Sequence, residues 1–136
     1  MLIGYVIGPY RAKTIYDIRR NIIASEALGA DLIKCGVFPY IPHKNTAFYD
    51  GLAKDSFFLD GNLELIKRGV FDLAVVGHGW NRSDGSQDEI AEFAGMGVPV
   101  FFRENPAFFH GIEELVREAR WAELPEAVLH LAEIRG

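Results

Sequence analysis

The fold turns on Leu2-Ile3-Gly4-Tyr5-Val6-Ile7-Gly8-Pro9. Six residues, mostly apolar, run without a charge and stop at Gly-Pro. A run that short, apolar on both alternating faces, predicts a strand buried on both sides, as in a central parallel sheet. It has no basic start, is too short for a membrane helix, and reads as a first strand rather than a signal peptide. Outward from it, Ile15 to Lys34 carries Ile18, Ile22, Ala27 or Leu28, and Leu32 at helical spacing, and Gly36 is placed to end that helix in a left-handed cap. Val37 to Ile41 predicts a second strand, interrupted by Pro39 and stopped by Pro42.

The same alternation continues. His43 to Lys54 mixes polar, aromatic and turn-forming residues and predicts a loop with functional content. Ser56 to Arg68 predicts a helix with Phe57, Leu63 and Ile66 on or near one face, broken by Gly69. Phe71 to Val76 is a third strand, Gly77 to Gly85 a polar loop, Asp84 to Met96 a helix capped by Gly97, and Val98 to Phe102 a fourth strand. The tail from Pro106 predicts helix in two pieces, divided near Leu124-Pro125. Helices alternating with short apolar strands imply an α/β fold: a doubly wound, flavodoxin-like or Rossmann-like parallel sheet of four or five strands with flanking helices. The 136 residues are read as one domain.

Composition narrows the function. Hydrophobic residues make up 49% and charged residues 24%, so a packed core is expected. A formal net charge of -5 argues against a nucleic-acid polymer as partner, because duplex binding needs an electropositive face. No apolar stretch is long enough for a membrane span. Cys35 is the single cysteine, so no intrachain disulfide can form, and a reducing cytoplasm is the expected compartment. Cys35 itself reads as a buried, inert residue at a helix end. No cofactor is expected: there is no Walker loop, and the glycine pattern of dinucleotide enzymes is incomplete. Nor do two separated histidines without cysteines suggest a metal site.

In doubly wound sheets ligands gather outside the carboxyl ends of the strands, at the point where strand order reverses. The loops there span residues 8–16, 42–55 and 77–86, the segments richest in unusual polar content. In the first, Gly8-Pro9-Tyr10-Arg11 combines close backbone approach, an aromatic ring suited to base stacking, and a guanidinium suited to phosphate or carboxylate; the plainer reading is a strand-to-helix turn. His43 and Asn45 follow strand two, and His78 and Trp80 follow strand three. Trp80 either walls a pocket or covers the sheet edge.

Ser83-Asp84-Gly85-Ser86-Gln87-Asp88-Glu89 opens the fourth-strand crossover. Ser83 or Asp84 can cap the helix, and acidic residues near its start suit the helix dipole. Glu89, however, lies one turn above Gly85 on the same face. If that face meets the strand ends, the carboxylate enters the ligand crevice, where it can act as a nucleophile toward an anomeric carbon. A separate group must then protonate the leaving base. Asp60, Asn62 and Glu64 are candidates on the preceding helix, whereas Asp72 starts a strand and reads as structural.

Three segments together resemble the nucleoside 2-deoxyribosyltransferase-like superfamily. They are Tyr5-Val6-Ile7-Gly8-Pro9-Tyr10-Arg11, Asn62-Leu63-Glu64-Leu65 followed by Asp72-Leu73-Ala74-Val75-Val76, and Ser83-Asp84-Gly85-Ser86-Gln87-Asp88-Glu89-Ile90-Ala91. They occur in order over about residues 1–104. GPYRA, PHKNTAFYDGL and FLDGNLELI are similar to the DUF4406-like branch, which is related to the 2'-deoxynucleoside 5'-monophosphate N-hydrolases. The resemblance implies a flavodoxin-like fold and cleavage or transfer at the N-glycosidic bond of a nucleoside or its 5′-monophosphate. By the same resemblance Glu89 would attack C1′ and Tyr5 would orient its carboxylate. Gly8, Arg11, Ser83 and Gly85 would face a 5′-phosphate. Read from their place in the same loops and not from the resemblance, Pro9, Tyr10, His43, Asn45 and Ser86 are further substrate-binding candidates. Arg11 and Ser83 favour a nucleotide over a free nucleoside, because neutral ribose needs no guanidinium. A homodimer or higher homo-oligomer is implied as well. One departure stands out: the family's helix aspartate falls at Asn62, which cannot donate a proton as a carboxylic acid does, leaving Asp60 or Glu64 as substitutes. The alternative is a nucleotide-binding or sensing module with weak or no turnover.

Overall fold

A computed structural model describes residues 1–123. Its core is a four-stranded, all-parallel sheet of β1 (Ile3–Ile7), β2 (Phe38–Tyr40), β3 (Leu73–Val76) and β4 (Val100–Phe102), in the order β2-β1-β3-β4. Helices α1 (Ile15–Lys34), α2 (Pro42–Asn45), α3 (Asp55–Lys67), α4 (Asp84–Gly95) and α5 (Phe108–Glu123) make up the rest, with a 3₁₀ turn at Trp80–Arg82. This is the doubly wound α/β arrangement with the flavodoxin-like strand order. No helix among the described residues is long and apolar enough to cross a membrane. The second tail helix expected beyond Leu124-Pro125 lies outside the described residues.

Strand alternation divides the core into two. Val6, Leu73 and Val75 face one way and pack with Leu28 and Leu32 of α1 and Phe108, Ile112 and Val116 of α5. Tyr5, Ile7, Ala74 and Val76 face the other way and pack with Ile66 of α3, Phe71, and Phe93 of α4. Successive residues of β1 and β3 therefore feed opposite layers, which is why both strands are apolar throughout.

Local chemistry explains the element ends. The Thr14 hydroxyl caps α1 by accepting from the Asp17 N–H at 3.1 Å. Beyond the other end of α1, Gly36 takes a φ of +80°, the left-handed conformation predicted for it. Pro39 is tolerated because β2 is an edge strand, paired on one side only. Asp72 proves structural: its carboxylate accepts from the Ile3 N–H at 2.8 Å while its own N–H donates to the Ile3 carbonyl at 2.9 Å, pinning β1 beside β3.

Three expectations need correction. The segment 43–54 is not all loop, since Pro42, with no N–H to lose, starts the one-turn helix α2. Phe57 is 65% exposed and stacks edge-on against Phe58, so α3 meets the core through Ile66 and, in part, Leu63 and Leu65. Cys35 is half-buried at the α1 C-cap instead of enclosed in the core. On α1 the buried stripe passes through Leu28, with Ala27 exposed.

Leu32 is fully buried, while its neighbour Ile33 is 62% exposed. Leu32→Ala is expected to cost about 2–5 kcal/mol of stability through lost contacts and a residual cavity, and Ile33→Ala to stay within about 0.5 kcal/mol. Denaturant unfolding of the two variants checks the assignment of the layer.

Candidate active site

The three loops that follow β1, β2 and β3 do converge. The segment after β1, the α2–α3 region and the N-terminus of α4 enclose a cavity of about 480 Å³ on the α3/α4 side of the sheet, outside the strand carboxyl ends. Of the substrate-contact candidates, Gly8, Pro9, Tyr10, Arg11, His43, Ser83, Gly85 and Ser86 all line it, as do Asn62 and Glu89. Asn45 and Asp60 do not; both are exposed, and the Asn45 side chain lies near the Tyr40 hydroxyl instead. Asp60 therefore cannot serve the cavity as a proton donor in this arrangement.

Glu89 is 6% exposed, an unusual burial for a carboxyl group. It occupies the second turn of α4, whose axis points its N-terminus at the cavity. The Tyr5 hydroxyl donates to Glu89 Oε2. Tyr5 is held by three rings, with centroids at 5.0 Å (Phe71), 5.2 Å (Phe93) and 5.7 Å (Tyr40). The strand thus supplies a fixed donor, and the helix brings the carboxyl to it. Burial pushes Glu89 up to about 7, against the opposing pull of the Tyr5 hydrogen bond, with a small further rise from the Asp88 charge. Tyr5 is itself raised well above the usual phenol range, first by burial and then by the Glu89 charge, so it stays a donor.

The N-terminus of α4 is organised by Ser83, whose hydroxyl accepts from the Ser86 N–H at 3.2 Å. The capping role and the cavity-lining role coexist in this residue. The Ser86 hydroxyl and His43 Nδ1 are buried polar atoms without a hydrogen-bond partner among the described residues. His43 Nε2 lies 3.0 Å from the Pro9 carbonyl, an arrangement that makes Nε2 the protonated nitrogen. Burial lowers the His43 pKa, so the ring is neutral at pH 7 with Nδ1 as an acceptor. Ties of this kind fasten the α2 segment to the loop after β1.

Arg11 is engaged by carboxylates. Its two terminal nitrogens reach Asp50 at 3.1 Å and Asp55 at 2.7 Å. Tyr10 donates its hydroxyl to Asp50 at 2.7 Å and accepts from the Phe48 N–H at 2.8 Å, so it is fixed at the mouth of the cavity. Asp50 and Asp55 were not among the candidates. Their only sequence signal is acidic character in the loop after strand two; the pairing with Arg11 spans 39 residues for Asp50 and is created by the fold. Trp80 covers the sheet edge, packing on Phe102 at 5.1 Å, and His78 borders a separate hollow with Asp31 and Arg103 on the α1 side. Among the described residues no group of three His, Cys, Asp or Glu side chains is placed to hold a metal ion. The chain matches no protein-family model and no curated protein.

The buried Glu89 carries a stability signature. Its folded pKa, about 7, exceeds its ordinary value of 4.5, so the folded state binds the proton more tightly. The resulting stability is full below about pH 4.5 and is lost as pH rises through 7, in all about 3 kcal/mol. Glu89→Gln, which keeps an acceptor for Tyr5, is expected to remove this slope. Chemical denaturation between pH 4.5 and 8 measures it, and an unchanged slope in the variant would assign the titration to another group.

Proposed function

We propose that the protein cleaves or transfers at the N-glycosidic bond of a nucleoside or nucleoside 5′-monophosphate, with Glu89 as the nucleophile. The observation that carries this reading is a carboxyl group buried beside the cavity at the strand carboxyl ends and held by a fixed phenol, Tyr5. The resemblance of the Tyr5–Arg11, Asn62–Val76 and Ser83–Ala91 segments to nucleoside 2-deoxyribosyltransferases supports it.

In this mechanism the ionised Glu89 oxygen forms a bond to C1′ as the C1′–N bond breaks, and the base leaves with a proton taken from water or the cavity. The glycosyl ester is then opened at C1′ by water or by a second base. That regenerates the carboxylate and releases a proton, with net retention at the anomeric centre. Tyr5 orients the carboxylate and stabilises its charge, offsetting part of the burial penalty. Asn62 lines the cavity and can hydrogen-bond a base edge, though not as an acid. A homo-oligomer belongs to the same proposal through the same resemblance. Asn62 together with the outward Asp60 favours a second reading, in which the cavity binds a nucleotide without turning it over.

Base release, followed chromatographically on deoxyribo- and ribonucleosides and their monophosphates, separates the two readings. Turnover is expected, with Glu89→Ala lowering it by at least about 10³-fold. Binding without release supports the second reading, and undiminished turnover in Glu89→Ala removes Glu89 as nucleophile.

The pH profile gives an independent check. Because the reaction needs the carboxylate, kcat/KM is expected to rise as pH passes through about 7, where Glu89 ionises. Tyr5→Phe removes a group that lowers the Glu89 pKa, so it should move that limb to higher pH as well as lower the plateau. A limb that stays in place would show that Tyr5 does not act on Glu89.

A further inference from the structure

We infer that Asp50 and Asp55 are specificity-determining residues that hold Arg11 as an internal counter-ion and so exclude a 5′-phosphate, restricting the cavity to uncharged nucleosides. The inference rests on the nucleoside reading of the cavity and narrows it. A guanidinium recognises phosphate by presenting two N–H groups as a fork. In Arg11 both terminal nitrogens are already met by carboxylates, Asp50 at 3.1 Å and Asp55 at 2.7 Å.

An isolated exposed ion pair would be a weak obstacle, easily exchanged for a phosphate. The Asp50 pair is not isolated. One Asp50 oxygen accepts from the Tyr10 hydroxyl at 2.7 Å and the other accepts from Arg11. Tyr10 is fixed in turn by the Phe48 N–H at 2.8 Å on its hydroxyl oxygen, and its own carbonyl accepts from Asn21 at 3.0 Å. The carboxylate is therefore set in place before any ligand arrives, at the junction of the β1 loop and the segment that leads into α3.

The charges around the cavity point the same way. The described residues lining it include two guanidinium groups, Arg11 and Arg82, against four carboxyl groups, Asp50, Asp55, Asp84 and Glu89. His43 adds no positive charge, since burial lowers its pKa. Even with Glu89 protonated, carboxylates outnumber cations, and a phosphate dianion entering there meets net repulsion. A neutral sugar meets none, and it can use the acceptors.

The test compares the wild-type protein with Asp50→Asn/Asp55→Asn, which preserves side-chain shape while removing both charges. Calorimetric titration with the four 2′-deoxynucleosides and their 5′-monophosphates gives the ratio of affinities. The wild type is expected to bind its preferred nucleoside at least about tenfold more tightly than the corresponding monophosphate, and the double variant to narrow that ratio by about tenfold or invert it. A wild-type preference for the monophosphate, or the same ratio in both proteins, overturns the inference. If neither protein binds any nucleoside or nucleotide, the reading of the cavity as a nucleoside site fails. The charge gate is then decided by melting temperature in inorganic pyrophosphate. Stabilisation of the double variant alone sustains the gate, and equal responses, including none, overturn it. A second variant, Arg11→Gln added to the double variant, must abolish any gain, since the gain is assigned to the freed guanidinium.

Discussion

The hydrogen bond between the Tyr5 hydroxyl and the Glu89 carboxyl ties the central strand to the helix that closes the site. A lone carboxylate in that position would face the full cost of leaving water and would be driven further toward its neutral form. Tyr5 offsets part of that cost, and the residual cost appears as a Glu89 pKa of about 7. The strand can supply this donor because Tyr5 points into the α3/α4 layer, clasped by Phe71, Phe93 and Tyr40, while Val6 beside it points into the opposite layer. One residue of slippage in β1 would exchange those faces and leave Glu89 without its partner.

Register at β1 is therefore a functional matter, and it is secured from both sides. Gly4 to Ile7 pair with Leu73 to Val76, and Ile3 to Tyr5 pair with Phe38 to Tyr40. Asp72 adds a two-point clamp on Ile3 at the start of the ladder. Since β1 lies between β2 and β3, its crossover to β2 runs on one face and the route back to β3 on the other. The two routes separate at the carboxyl ends, opening the space the cavity occupies. Its mouth is set by polar ties across loops: His43 to the Pro9 carbonyl, and Tyr10 and Arg11 to Asp50. These ties make the proposed chemistry and the proposed charge selection two consequences of one loop arrangement.

The fold was legible because each element carries its own signal. Apolar β1 and β3 ending in glycine, the Leu28–Leu32 stripe, Gly36 and the Ser83 cap all report local energetics that hold wherever the element is placed. Phe57 was misread because periodicity shows which residues share a helix face but not whether a neighbour covers it. Glu89 was legible as a candidate because one helical turn relates it to Gly85. The exclusion of Asp60 was not, for Asp60 and Asn62 lie two residues apart on one helix and only packing decides which of them meets the cavity.

By itself the sequence determined the alternation of strands and helices, hence a parallel sheet with two layers, and it placed the candidate chemistry in three loops and on the strand and helices that border them. Propensity, capping and hydrophobic periodicity act over a few residues, and a single chain displays them openly. Tertiary structure alone decided how charges at long separation meet. It gave Arg11 to Asp50 across 39 residues and to Asp55, and it buried the Tyr5–Glu89 pair, which the family resemblance implies, deeply enough to raise the Glu89 pKa. An electrostatic interaction depends on distance and on the surrounding medium. Both are fixed only when the sheet has formed and the water has left.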